Sequence, residues 1–333
     1  MFETLSWHLA FGNRYTFVID CIPMYILAPL AGYTDKAFRE TTALFGSDGS
    51  VSEMVSAEGL TRSGEKTLSL MDRYPGEKNL SIQLFAPDDE TLRRASENLM
   101  KRNPERIDIN AGCPVPKVVN NGSGSALMRK KGMIGKMVKA LREETGLEVS
   151  VKFRLGWDEN EINFLSFAEE AAKAGACQLT MHARTRKEGY SGFAHKEAFL
   201  ELRKAFPKDG GSPLLFASGD VFDAESAVEY VTKYGMDGVM VARGAIGNPF
   251  IFREIKELEK YGKYTKAGKE ERLETALYHL RLSISYFGEG YAVREMRKTM
   301  MAYVKGLDNS KAMKEKISHA GTYEEYEKAL LMQ

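Results

Sequence analysis

One rhythm constrains this chain more than any other feature. Eight times in succession a short apolar run is followed by an amphipathic stretch of helix length. The runs are Met24–Ala28, Ser50–Glu53, Leu80–Phe85, Arg106–Asn110, Val149–Phe153, Gln178–His182, Leu214–Ser218 and Gly238–Ala242. The helical patterns begin near Thr34 and Ser56, span Pro87–Lys101, Met133–Glu144, Phe164–Ala174, Lys196–Ala205 and Ala224–Tyr234, and begin again near Pro249. Thr34 suits an N-cap and Pro87 a first helical turn. Gly146, Gly175 and Gly235 stand where helices end, a position that favours glycine. Strands joined through helices pair in parallel, and eight such units close into a (β/α)8 TIM barrel of the α/β class.

The barrel is complete near Tyr261, a usual length of roughly 250 residues. Tyr261–Lys269 is polar and lysine-rich and reads as a linker. Only helical patterns follow, at Leu273–Tyr286, Ala292–Val304, Ser310–Ile317 and Thr322–Leu330. The expected division is a barrel over 21–261, a small helical domain over 262–333, and an N-terminal extension over 1–20 with no assigned role.

Composition narrows the function classes. No run approaches the ~18 apolar residues of a membrane span, and residues 1–20 lack a signal peptide's basic start and apolar core. A cytoplasmic monomer without membrane contact is the expectation. The three cysteines, Cys21, Cys113 and Cys177, include no CxxC pair, so neither a disulfide framework nor a metal site is expected. The net charge of +1 leaves any nucleic-acid binding to local patches.

In such barrels the chemistry sits at the C-terminal ends of the strands. Polar residues here end nearly every strand. The first runs into Pro29, Leu30 and Ala31. The second ends at Glu53, the third contains Gln83, and the fourth runs into Asn110 and Cys113. The fifth carries Lys152 and Arg154, and the sixth ends at His182 with Arg184 beyond it. A strand lysine commonly lies at a solvated edge, but Lys152 alternates with Val151 and Phe153 on an internal strand, where no solvated face exists. Cys113 alone would read as a small buried hydrophobe. Its loop, Asn110-Ala-Gly-Cys-Pro-Val-Pro-Lys117, is stiffened by two prolines and suits a placed thiol. Cys177, at the other end of the barrel, and Cys21 read as structural. After the seventh and eighth strands stand Ser218-Gly219-Asp220 and Ala242-Arg243-Gly244, where barrels often bind a phosphate. This points to a phosphorylated cofactor such as FMN.

These segments resemble the tRNA-dihydrouridine synthases. The resemblance runs from about Met24 to about Gly306. It is carried by Ala28-Pro-Leu-Ala-Gly-Tyr-Thr-Asp35, the cysteine loop, Val151-Lys-Phe-Arg-Leu-Gly-Trp157, His182-Ala-Arg-Thr-Arg186 and Asp237-Gly-Val-Met-Val-Ala-Arg-Gly-Ala-Ile-Gly-Asn-Pro249. It implies an FMN barrel with an RNA-binding helical domain, reducing the C5=C6 bond of uridine with NADPH as reductant. It implies that Pro29, Leu30 and Ala31 back the flavin ring and that Gln83, Lys152 and His182 contact it. Ser218, Gly219, Asp220, Ala242, Arg243 and Gly244 would hold its phosphate end. Cys113 would donate the proton, and Asn110 and Arg184 would meet the target base. The chain departs from the family at Ser218, where asparagine is usual, at Ala111, where methionine is usual, and at His195, where aspartate is common.

Two basic stretches are candidates for gripping tRNA. One holds Arg129, Lys130, Lys131, Lys136 and Lys139 without an acid. The other, Tyr291–Lys316, sets seven basic residues against three acidic ones and places Arg294, Arg297 and Lys298 on about one helical face. Helix faces of this kind are more often merely solvated; the family's RNA-binding domain favours the contact here. The rival reading is a small-molecule flavin oxidoreductase of the dihydroorotate dehydrogenase type, which would not need a basic tail.

Overall fold

The computed structural model describes residues 23–331 apart from Ser63, Asp209 and Gly210. The extension over 1–20 and Cys21 lie outside the described residues. The strands are β1 (Met24–Leu27), β2 (Ser50–Val51), β3 (Val55–Ser56), β4 (Leu80–Phe85), β5 (Arg106–Ala111), β6 (Glu148–Arg154), β7 (Gln178–His182), β8 (Leu214–Ser218) and β9 (Gly238–Val241). All pair in parallel in the order β2-β1-β9-β8-β7-β6-β5-β4-β3, and the β2–β4 pairing closes the ring. The second barrel strand is therefore two pieces, β2 and β3, split around Glu53 and Met54. The single strand expected there ran through that break.

The helix caps differ from expectation at two places. Asp35, not Thr34, caps the helix Lys36–Leu44 by accepting from Phe38 N. Thr34 instead braces the loop before it, accepting from Leu30 N and donating to the Ala28 carbonyl. Asp88 caps the helix Asp89–Met100, which puts Pro87 ahead of the helix. Gly146, Gly175 and Gly235 all take positive φ after their helices, as expected.

The main core lies between the strands and the helical ring, with Val149, Val151 and Phe153 of β6 fully buried in it. Alternation turns Ser150 and Lys152 the other way, into the barrel. The barrel interior is two-sided. Ile26, Ala28, Val51, Phe216 and Met240 form an apolar wall. Gln83, Asp108, Asn110, Ser150 and Thr180, from β4 to β7, are buried polar residues.

Five helices follow the barrel: Lys269–Phe287, Glu289–Glu295, Arg297–Tyr303, Ser310–His319 and Tyr323–Leu331. They share their own core, built from residues such as Leu280, Met300, Tyr303, Ile317 and Tyr326, into which Phe250 reaches from the end of the barrel. Phe38 stacks on His279 at 5.3 Å, and Arg253 pairs with Glu271, so the helices dock firmly on the barrel. The helix expected over Ala292–Val304 is interrupted at Met296. No described helix is long and apolar enough to cross a membrane.

Candidate active site

The C-terminal ends of the strands open on a crevice. Pro29, Leu30, Lys152, His182, Ser218, Gly219, Asp220, Ala242 and Arg243 line it, all expected from the sequence. So do Tyr190 and Phe222, which sequence reasoning missed. Both come from loops, where no periodicity marks an aromatic as facing a site. The floor is apolar, from Ala28 and Met240. Ala31 is exposed beyond the lining, and Gln83 and Gly244 are buried behind it.

Arg243 stands between two rings, 4.8 Å from Tyr190 and 5.2 Å from Phe222, with Asp220 at 3.2 Å. Asp220 holds a positive φ of 50°, an uncommon conformation for a residue with a side chain. Burial works against its carboxylate, but the Ala194 N–H and the Arg184 guanidinium hold it below the usual range. Gly244 has no room for a side chain, since a Cβ there would stand 2.0 Å from the Val221 carbonyl oxygen. The two loops thus bring backbone and a partly exposed guanidinium together at one end of the crevice, an arrangement suited to an anion.

Lys152 stands in the crevice and makes no hydrogen bond or ion pair with any described residue. Burial, reinforced by Arg154, pushes its ammonium down to about 8. His182 is held neutral, well below its usual value, first by burial and then by the surrounding Arg154, Lys152 and Arg184. Its Nε2 lies 3.4 Å from Arg184 Nη1. Because arginine can only donate, Nε2 is the acceptor and the ring proton sits on Nδ1.

The thiol loop leaves β5 beside Lys152, with Asn110 and Lys152 directly paired across the strands. Cys113 is half-buried in the loop after β5 and is not among the residues that line the crevice. Its backbone is held by Asn110 Oδ1, which accepts from Cys113 N at 2.9 Å, and by Ser125, whose N and Oγ donate to the Cys113 carbonyl at 3.1 and 3.0 Å. Gly124 fits against this loop only without a side chain; a Cβ would come 2.8 Å from the same carbonyl. Burial pushes the thiol up, while the Val115 N–H, Arg154 and Lys152 pull it down. The net rise keeps it protonated at neutral pH, the form a proton donor needs. That Lys152 perturbs it places the two groups within each other's field.

Arg184 does not present itself to a ligand as expected. It is fully buried, with Nε on the Ser191 carbonyl and Nη2 on the Gly192 carbonyl and both Asp220 oxygens. It holds the loops around the mouth. Asn110 is likewise occupied at both ends, its Nδ2 on Gln83 and its Oδ1 on the thiol loop. Arg154, noted in the sequence but given no role, is a second strut. Its Nε donates to the Gly112 carbonyl at 2.7 Å, and its Nη1 to the carbonyls of Thr185 and Gly189. It ties the thiol loop to the loop after β7.

The basic stretches are less bare than they read. Arg129 pairs with Glu161, Lys139 with Glu143, and Lys130 donates to the Pro87 carbonyl. Arg297 turns inward, donating to the Ala320 carbonyl, while Arg294 and Lys298 stay exposed. His195 pairs with Glu188 at 2.6 Å. Cys177 is half-buried just before β7, its thiol pushed up to about 11 by desolvation.

Fold and site together are those of a (β/α)8-barrel enzyme, with an anion-suited end and an unpaired ammonium in one crevice and a protonated thiol on the loop after β5. The sequence model of the family described as Dihydrouridine synthase (Dus) matches residues 26–333. A probable tRNA-dihydrouridine synthase of Treponema pallidum is 34% identical over 305 residues, covering 90% of this chain and 89% of that protein. tRNA-dihydrouridine synthase B of Pseudomonas aeruginosa is 31% identical over 287 residues, covering 86% of this chain and 85% of that one. The chain belongs to the dihydrouridine synthase family. Among solved structures, 2-naphthoyl-CoA reductase shares the fold with a TM-score of 0.52 at 12% identity, covering 70% of this chain and 50% of that one.

Proposed function

We propose that this protein reduces specific uridines of tRNA to 5,6-dihydrouridine, with FMN as cofactor, NADPH as reductant and Cys113 as proton donor. The observation that carries this reading is a protonated thiol on the loop after β5, within the field of an unpaired ammonium that lines an anion-suited crevice. The residues fit a flavin mononucleotide. Lys152 has no ion-pair partner among the described residues, and Arg243 stands partly exposed in the crevice lining beside Gly219. Arg243, Gly219 and Gly244 would hold the phosphate, flanked by Ser218, Asp220 and Ala242. Pro29, Leu30 and Ala31 would back the ring, and Gln83, Lys152 and His182 would contact it.

Bound flavin supplies the hydride that adds to uracil C6, and NADPH restores it. The chain's own residues then do the rest. Cys113 delivers the proton that C5 requires, a transfer typically worth about 10²–10⁴-fold. Lys152 holds positive charge where negative charge gathers on reduction. Neutral His182 offers a hydrogen bond rather than a second charge. Arg154 and Arg184 tie the mouth's loops in place around the entry for an extruded base. The exposed Arg294 and Lys298 would meet the RNA backbone from the helical domain.

Purified protein given FMN, NADPH and unmodified tRNA should form dihydrouridine, read by mass spectrometry of the digested RNA. No dihydrouridine, with the reduced flavin reoxidised by a small alkene instead, would favour the small-molecule reductase. Mapping dihydrouridine in cells with and without the protein gives the position.

A further inference from the structure

We infer that Asp108 positions the proton donor: it is the fixed acceptor at the inner end of a hydrogen-bond chain, Asp108–Gln83–Asn110, that holds the Cys113 loop in a single orientation. This rests on the reading of Cys113 as the donor. Asp108 lies on β5 two residues before Asn110, so both point into the barrel. It is fully buried. Its Oδ1 accepts from Ser150 Oγ at 2.6 Å and its Oδ2 from Gln83 Nε2 at 2.7 Å. Gln83 Oε1 accepts from Asn110 Nδ2 at 2.7 Å. Asn110 Oδ1 then accepts the N–H groups of Gly112 at 3.2 Å and Cys113 at 2.9 Å.

A primary amide has one donating and one accepting end, and the two are close in shape. In a chain of two amides, either terminus sets the polarity of the whole. The outer terminus here is a pair of backbone donors, which demands an oxygen. The inner terminus is Asp108 Oδ2, which takes the NH2 group of Gln83; burial raises the pKa of this carboxyl, while its bonds to Ser150 and Gln83 and the nearby Lys152 pull it down. Both ends impose the same direction, so neither amide can flip without stranding buried polar groups. An amide at 108 could face Gln83 with either end, which would leave the two outer backbone donors alone to set the direction.

A buried carboxylate with no ion pair among the described residues is also a costly filling for a barrel whose opposite wall is Ile26, Val51, Phe216 and Met240. The Cys113 carbonyl is pinned independently by Ser125. Of the two holds on the thiol loop, the one through Asn110 is the one that runs back to Asp108 inside the barrel.

The test uses wild type, Asp108→Asn, Ser150→Ala and Cys113→Ala, all full length. Reduction of bound flavin by NADPH and its reoxidation by tRNA are followed separately by absorbance. Iodoacetamide labelling of Cys113, resolved by peptide mass spectrometry, is measured on the flavin-free proteins. Asp108→Asn keeps the shape of the site and exchanges one accepting oxygen for an NH2 donor. It should slow reoxidation by tRNA at least about tenfold while reduction by NADPH stays within about twofold. Its Cys113 should label at a rate changed severalfold. Ser150→Ala, which leaves the carboxylate in place, should match wild type in all three readouts. Equal slowing of both half-reactions overturns the inference, because Asp108 would then act on the flavin through Lys152. Unchanged labelling together with an unchanged RNA step overturns it as well. Full RNA turnover by Cys113→Ala would instead sink the donor assignment itself.

Discussion

Replacing Lys152 with methionine should make the flavin-free protein more stable and the enzyme nearly inactive. Lys152 is pushed from its ordinary 10.5 to about 8 by burial and by Arg154, against partial relief from Asp108 and Cys113. A displacement of that size corresponds to about 3 kcal/mol of destabilisation carried by the charged form. Methionine fills a similar volume without the charge, so at pH 7 the variant should gain about 2–3 kcal/mol over wild type. The pH dependence has a definite sign. Between about pH 8 and 10.5 the unfolded chain holds the lysine proton and the folded one does not, so stability rises with pH there. The penalty on wild type is complete below pH 8 and gone above 10.5. The variant's advantage should therefore shrink to less than half by about pH 9.5. Urea unfolding of both flavin-free proteins at the two pH values measures the difference, and shared titrations of tyrosines and other groups cancel in it. No gain at pH 7, or an equal gain at both pH values, refutes the claim that this ammonium is held at a cost. The same variant should lose at least about 10²-fold in the flavin-dependent step, since the charge is what the cofactor would use.

Cys113→Ala should retain flavin yet lose about 10²–10⁴-fold in its reoxidation by tRNA, followed by stopped-flow absorbance. Gly244→Ala should weaken flavin binding, seen as cofactor lost on gel filtration, because its Cβ would stand 2.0 Å from the Val221 carbonyl oxygen. Arg154→Lys should cost about 1–3 kcal/mol in urea unfolding, since one ammonium cannot span the Gly112, Thr185 and Gly189 carbonyls. The double variant Arg294→Ala with Lys298→Ala should raise KM for tRNA and flatten its salt dependence with kcat intact. Arg297→Ala should chiefly lower the melting temperature, because that side chain props the turn at Ala320.

What could be read from sequence and what could not divide along a physical line. Strand ends were legible because a period of two, bounded by glycine and proline, says which residues face inward, and a closed barrel says that inward means toward one mouth. Lys152, His182, Ser218 and Arg243 follow from that alone. The split at Glu53 and Met54 was not legible, since a two-residue strand has no period to read. The arginines mark the deeper limit. Arg154 and Arg184 sit two positions past strand residues expected to act, and the sequence shows each only as a charge near the mouth. Whether a guanidinium faces a ligand or a loop depends on carbonyls far away in the chain, such as Gly112 for Arg154 and Ser191 for Arg184. The basic run from Arg129 to Lys139 shows the same limit in part: Arg129 is met by Glu161 from a distant segment, while Lys139 meets Glu143 one turn along its own helix. A lysine can be read as free when its strand leaves it nothing to touch. An arginine with five donors cannot, because its partners are made by the fold. The mouth of this barrel is accordingly built by arginines and left open to one lysine and one thiol.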